Sequence, residues 1–246
     1  MRLAGKVAVV TGGTRGLGRA IAERFLDEGA SVVCAARNPY DIVELIDRAP
    51  GRVAFHAVDV TDPDSVVELM DQSVEAFGGL DIVVANAAVS RDGKVERLDP
   101  RDWRQMVDTN LNGVFYSTQA AAKHMIARGG GHIITVSSCM ASRVAVGAAG
   151  YAATKAAVEM FTRTSAIELG RKGVRVNCLA PGVLDGGMGE QLADNDKVWA
   201  VYKERFSLGR AGRLDEAADG ALFLASEASS YVNGHVLEVN GGLLWA

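Results

Sequence analysis

The chain has 246 residues, 48% hydrophobic and 23% charged, with a formal net charge of −4 and a pI near 5.6. That is length for one extensive core, with no cationic excess for nucleic acid and no apolar run long enough to cross a bilayer. Three dispersed cysteines (Cys34, Cys139, Cys178) without C-x-x-C spacing and four scattered histidines argue against a disulfide framework or a catalytic metal. The expected setting is reducing and cytoplasmic. A first strand beginning by Lys6 also leaves no room for a secretory signal.

Lys6–Thr11 (KVAVVT) is a short β-branched run of the kind that forms a buried parallel strand. Gly12-Gly13-Thr14-Arg15-Gly16-Leu17-Gly18 follows, then the helical pattern Ala20, Ile21, Phe25, Leu26. Strand, glycine turn and helix in that order present backbone N–H groups to a phosphate, although the spacing is G-x-x-x-G-x-G rather than G-x-G-x-x-G. Further apolar runs lie at Ser31–Ala36, Arg52–Val58, Leu80–Asn86, Gly131–Ser138, Val174–Leu179 and His235–Val239. Helical patterns near 40–48, 62–77, 101–127, 152–170 and 215–226 separate them. The alternation predicts an α/β fold: one doubly wound Rossmann-type parallel sheet of about seven strands over residues 1–246.

One interval breaks the rhythm. Gly182–Arg213 has no strand signal, and Met188, Leu192, Trp199, Tyr202 and Phe206 give it an apolar inner face. Two readings stay open, a substrate lid or a surface helix pair packed on the core. Ligands of open α/β sheets bind at the carboxyl ends of the strands. The glycine turn, Asp59, Asn86, Ser138 and Pro181 all fall there.

Tyr151 and Lys155 are four residues apart in Tyr-Ala-Ala-Thr-Lys, so a helix puts them on one face, and Ser138 precedes the tyrosine by thirteen residues. A cation beside a phenol favours phenolate and brings the pair within reach of acid–base work. Spacing alone is equally that of a solvated helix pair.

Taken together these residues resemble the short-chain dehydrogenase/reductase family in its compact form. The resemblance covers essentially the whole chain and is greatest to 3-oxoacyl-[acyl-carrier-protein] reductases. Thr11-Gly12 with Gly16 and Gly18, Asp59-Val60, Asn86-Ala87, Pro181-Gly182 and Val239-Asn240-Gly241-Gly242 carry it, with Asn110, Ser138, Tyr151 and Lys155 in tetrad order. It implies a ketone/secondary-alcohol oxidoreductase and a homotetramer. Tyr151 would be the general acid or base, Ser138 the holder of the substrate oxygen, and Asn110 the holder of a water. Lys155 would lower the tyrosine pKa and bind ribose hydroxyls. Cofactor contacts carried over are Gly12, Thr14, Arg15, Gly16, Leu17, Gly18, Arg37, Asp59, Val60, Asn86, Ala87, Tyr151, Lys155, Pro181, Gly182 and Val183. Two departures stand out: Ala85-Asn86-Ala87-Ala88 replaces Asn-Asn-Ala-Gly, and Gly186 stands where a threonine is usual.

The second strand ends in Ala35-Ala36-Arg37-Asn38, with no acid before Asp41. An acid there would accept from a ribose 2′-hydroxyl, whereas Arg37 and Arg15 suit a 2′-phosphate, so NADP(H) is expected over NAD(H). The substrate is either a 3-oxoacyl thioester or a polyketide, terpenoid, cyclic or sugar-derived ketone or alcohol. Arg128, Arg171 and Lys172 are candidates for meeting an acidic carrier at the site mouth. Arg91 and Arg143 are candidates for an acidic substrate group, and Met140, Val144, Met188 and Trp199 for other substrate contacts. A non-catalytic NADPH-binding protein is the reading from another class, and the complete tetrad opposes it.

Overall fold

The computed structural model describes residues 1–40, 42–189, 199 and 203–243. Seven strands pair in parallel: β1 (Val7–Thr11), β2 (Ser31–Ala36), β3 (Val53–Ala57), β4 (Ile82–Ala85), β5 (Gly131–Val136), β6 (Val174–Pro181) and β7 (Val236–Val239). Their order across the sheet is β3-β2-β1-β4-β5-β6-β7. The helices are α1 (Gly16–Asp27), α2 (Ile42–Arg48), α3 (Pro63–Phe77), α4 (Pro100–Val107), α5 (Gly113–Arg128), α6 (Ala149–Gly170) and α7 (Leu214–Ala225).

Strand periodicity builds two cores. Val10, Cys34, Val84 and Ile134 face one way and pack with Ile21 and Phe25 of α1, Leu45 of α2 and Leu222 of α7. Their neighbours Val9, Val33, Val83 and Ile133 face the other way, against Leu69 and Met70 of α3, Ala121 and Met125 of α5 and Ala166 of α6. Because both faces are covered, the central strands read as continuous apolar runs rather than as alternation. Local signals also agree with the fold. Asp62 accepts from Asp64 N–H at the start of α3, Pro63 opens the helix, and Gly78 closes it in the left-handed conformation.

The expected helix over 101–127 is two helices. Between α4 and α5 lies a π-helical turn, Asp108–Asn112, which carries Asn110. Such a turn inserts a residue into the helical ladder and turns a side chain off the helix's regular stripe. Gly113 follows because a Cβ there would lie 2.9 Å from Val60 Cγ2. Ser138 lies beyond the end of β5, in extended conformation, and its hydroxyl accepts from Met140 N–H at 3.2 Å to start a short 3-10 turn, Cys139–Ala141. Strand β6 runs further than expected, to Pro181, which needs no N–H at a strand end.

Candidate active site

The glycine turn leaves β1 and enters α1 without side-chain help. No side chain caps the N-terminus of α1, and its first turn contains no acid. The free N–H groups and the positive end of the helix dipole suit an anion. Gly12 has φ +67°, and a Cβ there would meet Asn86 Nδ2 at 2.8 Å. A Cβ on Gly18 would drive into the Gly12 carbonyl. Thr14, buried, donates from its hydroxyl to Asn38 O at 3.2 Å and so fastens the turn to the end of β2. Leu17 is half-buried against the first core. These residues fit a dinucleotide phosphate, since the turn is closed by packing on its inner side and has unclaimed donors at the helix start.

Asn86 acts on this turn from behind. Its Nδ2 donates to Thr11 O at 2.8 Å, its backbone N–H donates to Thr11 Oγ1 at 2.9 Å, and Ala87 N–H donates to the same hydroxyl at 3.1 Å. The Asn86 Nδ2 is thus a tie between β4 and β1. Asp59 and Val60 follow β3. The Asp59 carboxyl is held below its usual range by the Thr61 N–H and hydroxyl and, more weakly, by the Arg37 guanidinium. Val60 is buried. Arg15 and Arg37 are both exposed, just past the ends of β1 and β2. Arg15 lies over the Tyr40 ring, 5.2 Å from its centroid.

The catalytic candidates come together beyond β5. The first turns of α6 carry Tyr151 and Lys155. Lys155 is fully buried; its Nζ donates to Val136 O at 2.8 Å and lies 5.5 Å from the centre of the Tyr151 ring. Burial pushes the Lys155 ammonium down to about 8. Burial pushes the Tyr151 phenol up to about 12, against a hydrogen bond with Ser138 that lowers it. Burial is the larger effect and keeps the phenol protonated at neutral pH. Asn110, in the π-helical turn, is fully buried. Its Oδ1 accepts from Val89 N–H at 2.8 Å, and its Nδ2 donates to Val89 O at 2.9 Å and to Thr154 Oγ1 at 3.2 Å. That amide is committed to the loop after β4 and to Thr154, which fixes the turn.

The structure adds residues that motif reading did not single out. The Thr154 hydroxyl donates to Tyr151 O at 2.7 Å and so links Asn110 to the backbone of the catalytic helix. Ser137 donates to Lys155 O and to Glu159 Oε1, each at 3.1 Å, fastening the same helix to β5. Both stand beside singled-out residues, Thr154 inside Tyr-Ala-Ala-Thr-Lys and Ser137 before Ser138. Adjacency was the available signal.

Next to Ser138 lies an apolar cluster of Cys139, Val183, Phe206 and Leu243, with Met140 and Trp199 packed against it. The Trp199 and Phe206 rings are 5.9 Å apart. Pro181 and Gly182 lead into it, and a Cβ on Gly182 would meet Asn240 Cα at 2.7 Å. Gly186 is accounted for by packing, since a Cβ there would lie 2.9 Å from Leu214 Cδ1. The 182–213 interval is not without pairing. Leu184 bridges to Gly212, and Phe206 bridges to Leu243. Val144 and Met188 are exposed rather than part of the cluster, and Leu192 and Tyr202 lie outside the described residues.

The arginines divide. Arg91 is half-exposed, with its Nε 3.9 Å from Asp102 Oδ1. Arg143, its side chain 9% exposed, directs its guanidinium to Glu238 at 2.7 Å and to Leu243 O at 2.9 Å. Arg128, Arg171 and Lys172 sit where α5 and α6 return to the amino ends of β5 and β6, at the opposite sheet edge from Tyr151 of the same chain, and Arg128 donates to Gly78 O.

Comparison with known proteins agrees with this geometry. The sequence profile of a family described as enoyl-(acyl carrier protein) reductase matches residues 12–244. The 3-oxoacyl-[acyl-carrier-protein] reductase of Thermotoga maritima is 38% identical, over 99% of this chain and 100% of its own length. Gluconate 5-dehydrogenase of Gluconobacter oxydans is also 38% identical, over 98% of this chain and 95% of its own. A crystal structure of gluconate 5-dehydrogenase from Burkholderia cenocepacia, in complex with NADP and tartrate, superposes with a TM-score of 0.94 at 36% identity, over 98% of this chain and 96% of that one. With the fold, the tetrad order and full-length relatives in agreement, the chain belongs to the short-chain dehydrogenase/reductase family of oxidoreductases, enzymes that act on CH–OH and C=O groups.

Proposed function

We propose that this protein is an NADP(H)-dependent oxidoreductase that interconverts a ketone and a secondary alcohol, and that its ketone carries an apolar chain, a 3-oxoacyl thioester being the first candidate. The observation that carries the reading is the fully buried Lys155 beside Tyr151, with Ser138 close enough to lower that phenol's pKa and the uncapped N-terminus of α1 on the same edge of the sheet. Bound nicotinamide cofactor supplies the hydride. Tyr151, protonated at neutral pH, gives its proton to the oxygen of the forming alcohol. Ser138 donates to that oxygen as negative charge develops on it. Lys155 keeps two of its three donors for ribose hydroxyls, and its charge opposes reprotonation demands on the tyrosine once the site is filled.

Preference for NADP(H) over NAD(H) rests on Arg15 and Arg37 at the rim and on the lack of an acid at the end of β2. The relative solved with NADP supports the same choice. Arg37→Asp should reverse or abolish the NADPH/NADH selectivity ratio, read from kcat/KM with each cofactor; an unchanged ratio contradicts the assignment. The cluster of Cys139, Val183, Phe206 and Leu243 with Met140 and Trp199 favours an apolar substrate arm over a sugar acid. In this reading the 182–213 segment is the substrate lid of a single domain. The protein also assembles as a homotetramer, for which exposed Phe115, Met160 and Ile167 on α5 and α6 offer an apolar face beside the small residues Ala153 and Ala156. NADPH oxidation across a panel of 3-oxoacyl thioesters, cyclic ketones and keto-sugars tests the function. Turnover strongest with the thioesters or other apolar ketones is expected. Tight NADPH binding with no turnover of any ketone would support a non-catalytic role instead.

A further inference from the structure

We propose that Arg143 is a positioning residue for substrate reduction: through Glu238 and the Leu243 carbonyl it clamps the chain's last segment against the turn that follows Ser138, and so holds the apolar wall of the substrate site in place. The inference rests on the reading of Ser138 and Tyr151 as the reacting pair. Three stretches distant in sequence meet at this guanidinium. From the turn after Ser138 come Arg143 itself and Ser142, whose hydroxyl accepts from Arg143 Nη1 at 3.1 Å. From the end of β7 come Glu238, 2.7 Å from Nη2, and Asn240, whose amide donates to the Glu238 carboxylate. From the closing segment comes Leu243 O, 2.9 Å from Nε.

The closing segment in turn grips the root of the 182–213 interval. Ser207 N–H donates to Gly242 O at 3.2 Å and Leu208 N–H to Gly241 O at 3.1 Å, while Gly182 N–H donates to Val239 O at 2.9 Å. Cys139, Val183, Phe206 and Leu243 are thereby enclosed by a hydrogen-bonded ring that passes through Arg143. An apolar wall has no directional contacts of its own to fix its distance from Ser138. The planar fork of a guanidinium supplies that direction, and an ammonium cannot make the same three bonds. An arginine at 9% exposure that pairs with a carboxylate and a carbonyl is placed to transmit position rather than to meet solvent.

The test compares Arg143→Gln, Arg143→Lys, Glu238→Gln and the Arg143→Gln/Glu238→Gln double variant. Arg143→Gln should raise KM for the ketone about tenfold with the NADPH Kd unchanged, and the double variant should lose no more than the worse single one. Arg143→Lys should recover only part of the loss. Cys139, 3% exposed beneath the clamp, gives a readout independent of turnover. Its modification by a thiol reagent, mapped by mass spectrometry, should accelerate about tenfold in Arg143→Gln while Cys34 and Cys178 keep their protection. Unchanged Cys139 labelling, or losses in ketone KM and NADPH Kd of equal size, would overturn the proposal. Accelerated labelling in a protein that turns over no ketone would keep the clamp and overturn the catalytic reading of the site.

Discussion

Lys155 shows at the scale of one residue what the motif encodes and what it does not. Spacing placed it on the face of Tyr151, and the structure agrees. The direction of the phenol's shift was not legible, because it depends on how much water the folded chain removes, and burial pushes Tyr151 up to about 12. The lysine has a measurable cost of its own. Folded, it sheds its proton near pH 8, whereas the unfolded chain holds it to about 10.5. Between those values the unfolded chain carries the extra proton, so raising the pH favours the folded state. In the ligand-free protein, Lys155→Met should therefore be the more stable of the two at pH 7. The gap should narrow, by at most about 3 kcal/mol, as the pH rises from 8 to 10.5. Urea melts across that range check it, and parallel profiles would contradict it. Ser138 was legible from order alone, but its role in opening the Cys139–Ala141 turn required coordinates.

At the scale of elements, the strands were legible because β-branched runs between helical patterns have few other uses in a chain of this size. Their ends were less so. The expected strand Leu80–Asn86 is Ile82–Ala85, since Asn86 turns away to bond Thr11. The break between α4 and α5 was hidden for a similar reason. Helical periodicity continues across Asp108–Asn112, and only the tertiary demand of Val89 on Asn110 identifies the π turn. Asn86 was read as a cofactor contact and Asn110 as the holder of a water, and the side-chain amides of both also fasten the elements that form the site. The consequence is testable at Asn86. Asn86→Ala removes the tie between β1 and β4 and leaves Thr11 O short of a partner, which should cost about 1–3 kcal/mol in a denaturant melt. NADPH affinity should fall with it, because the glycine turn loses its backing. A variant of wild-type stability and affinity would show that the tie is dispensable.

Across the whole molecule, parallel strands of one sense put the glycine turn, Asp59, Asn86, Ser138 and Pro181 on one edge, as the strand direction predicts. The same directionality places Arg128, Arg171 and Lys172 on the far edge of this subunit, a result that residue type alone could not foretell. Substrate identity stayed illegible because it depends on side chains meeting from four stretches: the turn after Ser138, the start of the 182–213 interval, its end, and the closing segment. No local motif encodes such a meeting. The tail Leu244-Trp245-Ala246, apolar in sequence, lies outside the described residues, so the case for assembly rests on α5 and α6. Burying Phe115, Met160 and Ile167 against a second copy removes them from water, each with a gain on the order of 1.5–3 kcal/mol if the burial is complete. That face accounts for a dimer, and the family resemblance implies a tetramer; sedimentation equilibrium should give a tetramer, and a monomer at micromolar concentration would refute it.

In the proposed reaction Tyr151 supplies the proton for ketone reduction. Single-turnover NADPH oxidation with a short 3-oxoacyl thioester, comparing the wild-type protein with Tyr151→Phe, tests it most directly. The variant's rate should fall about 10²–10⁴-fold, with NADPH binding intact. A wild-type protein that reduces the ketone, and a Tyr151→Phe variant that does so at the same rate, would contradict it.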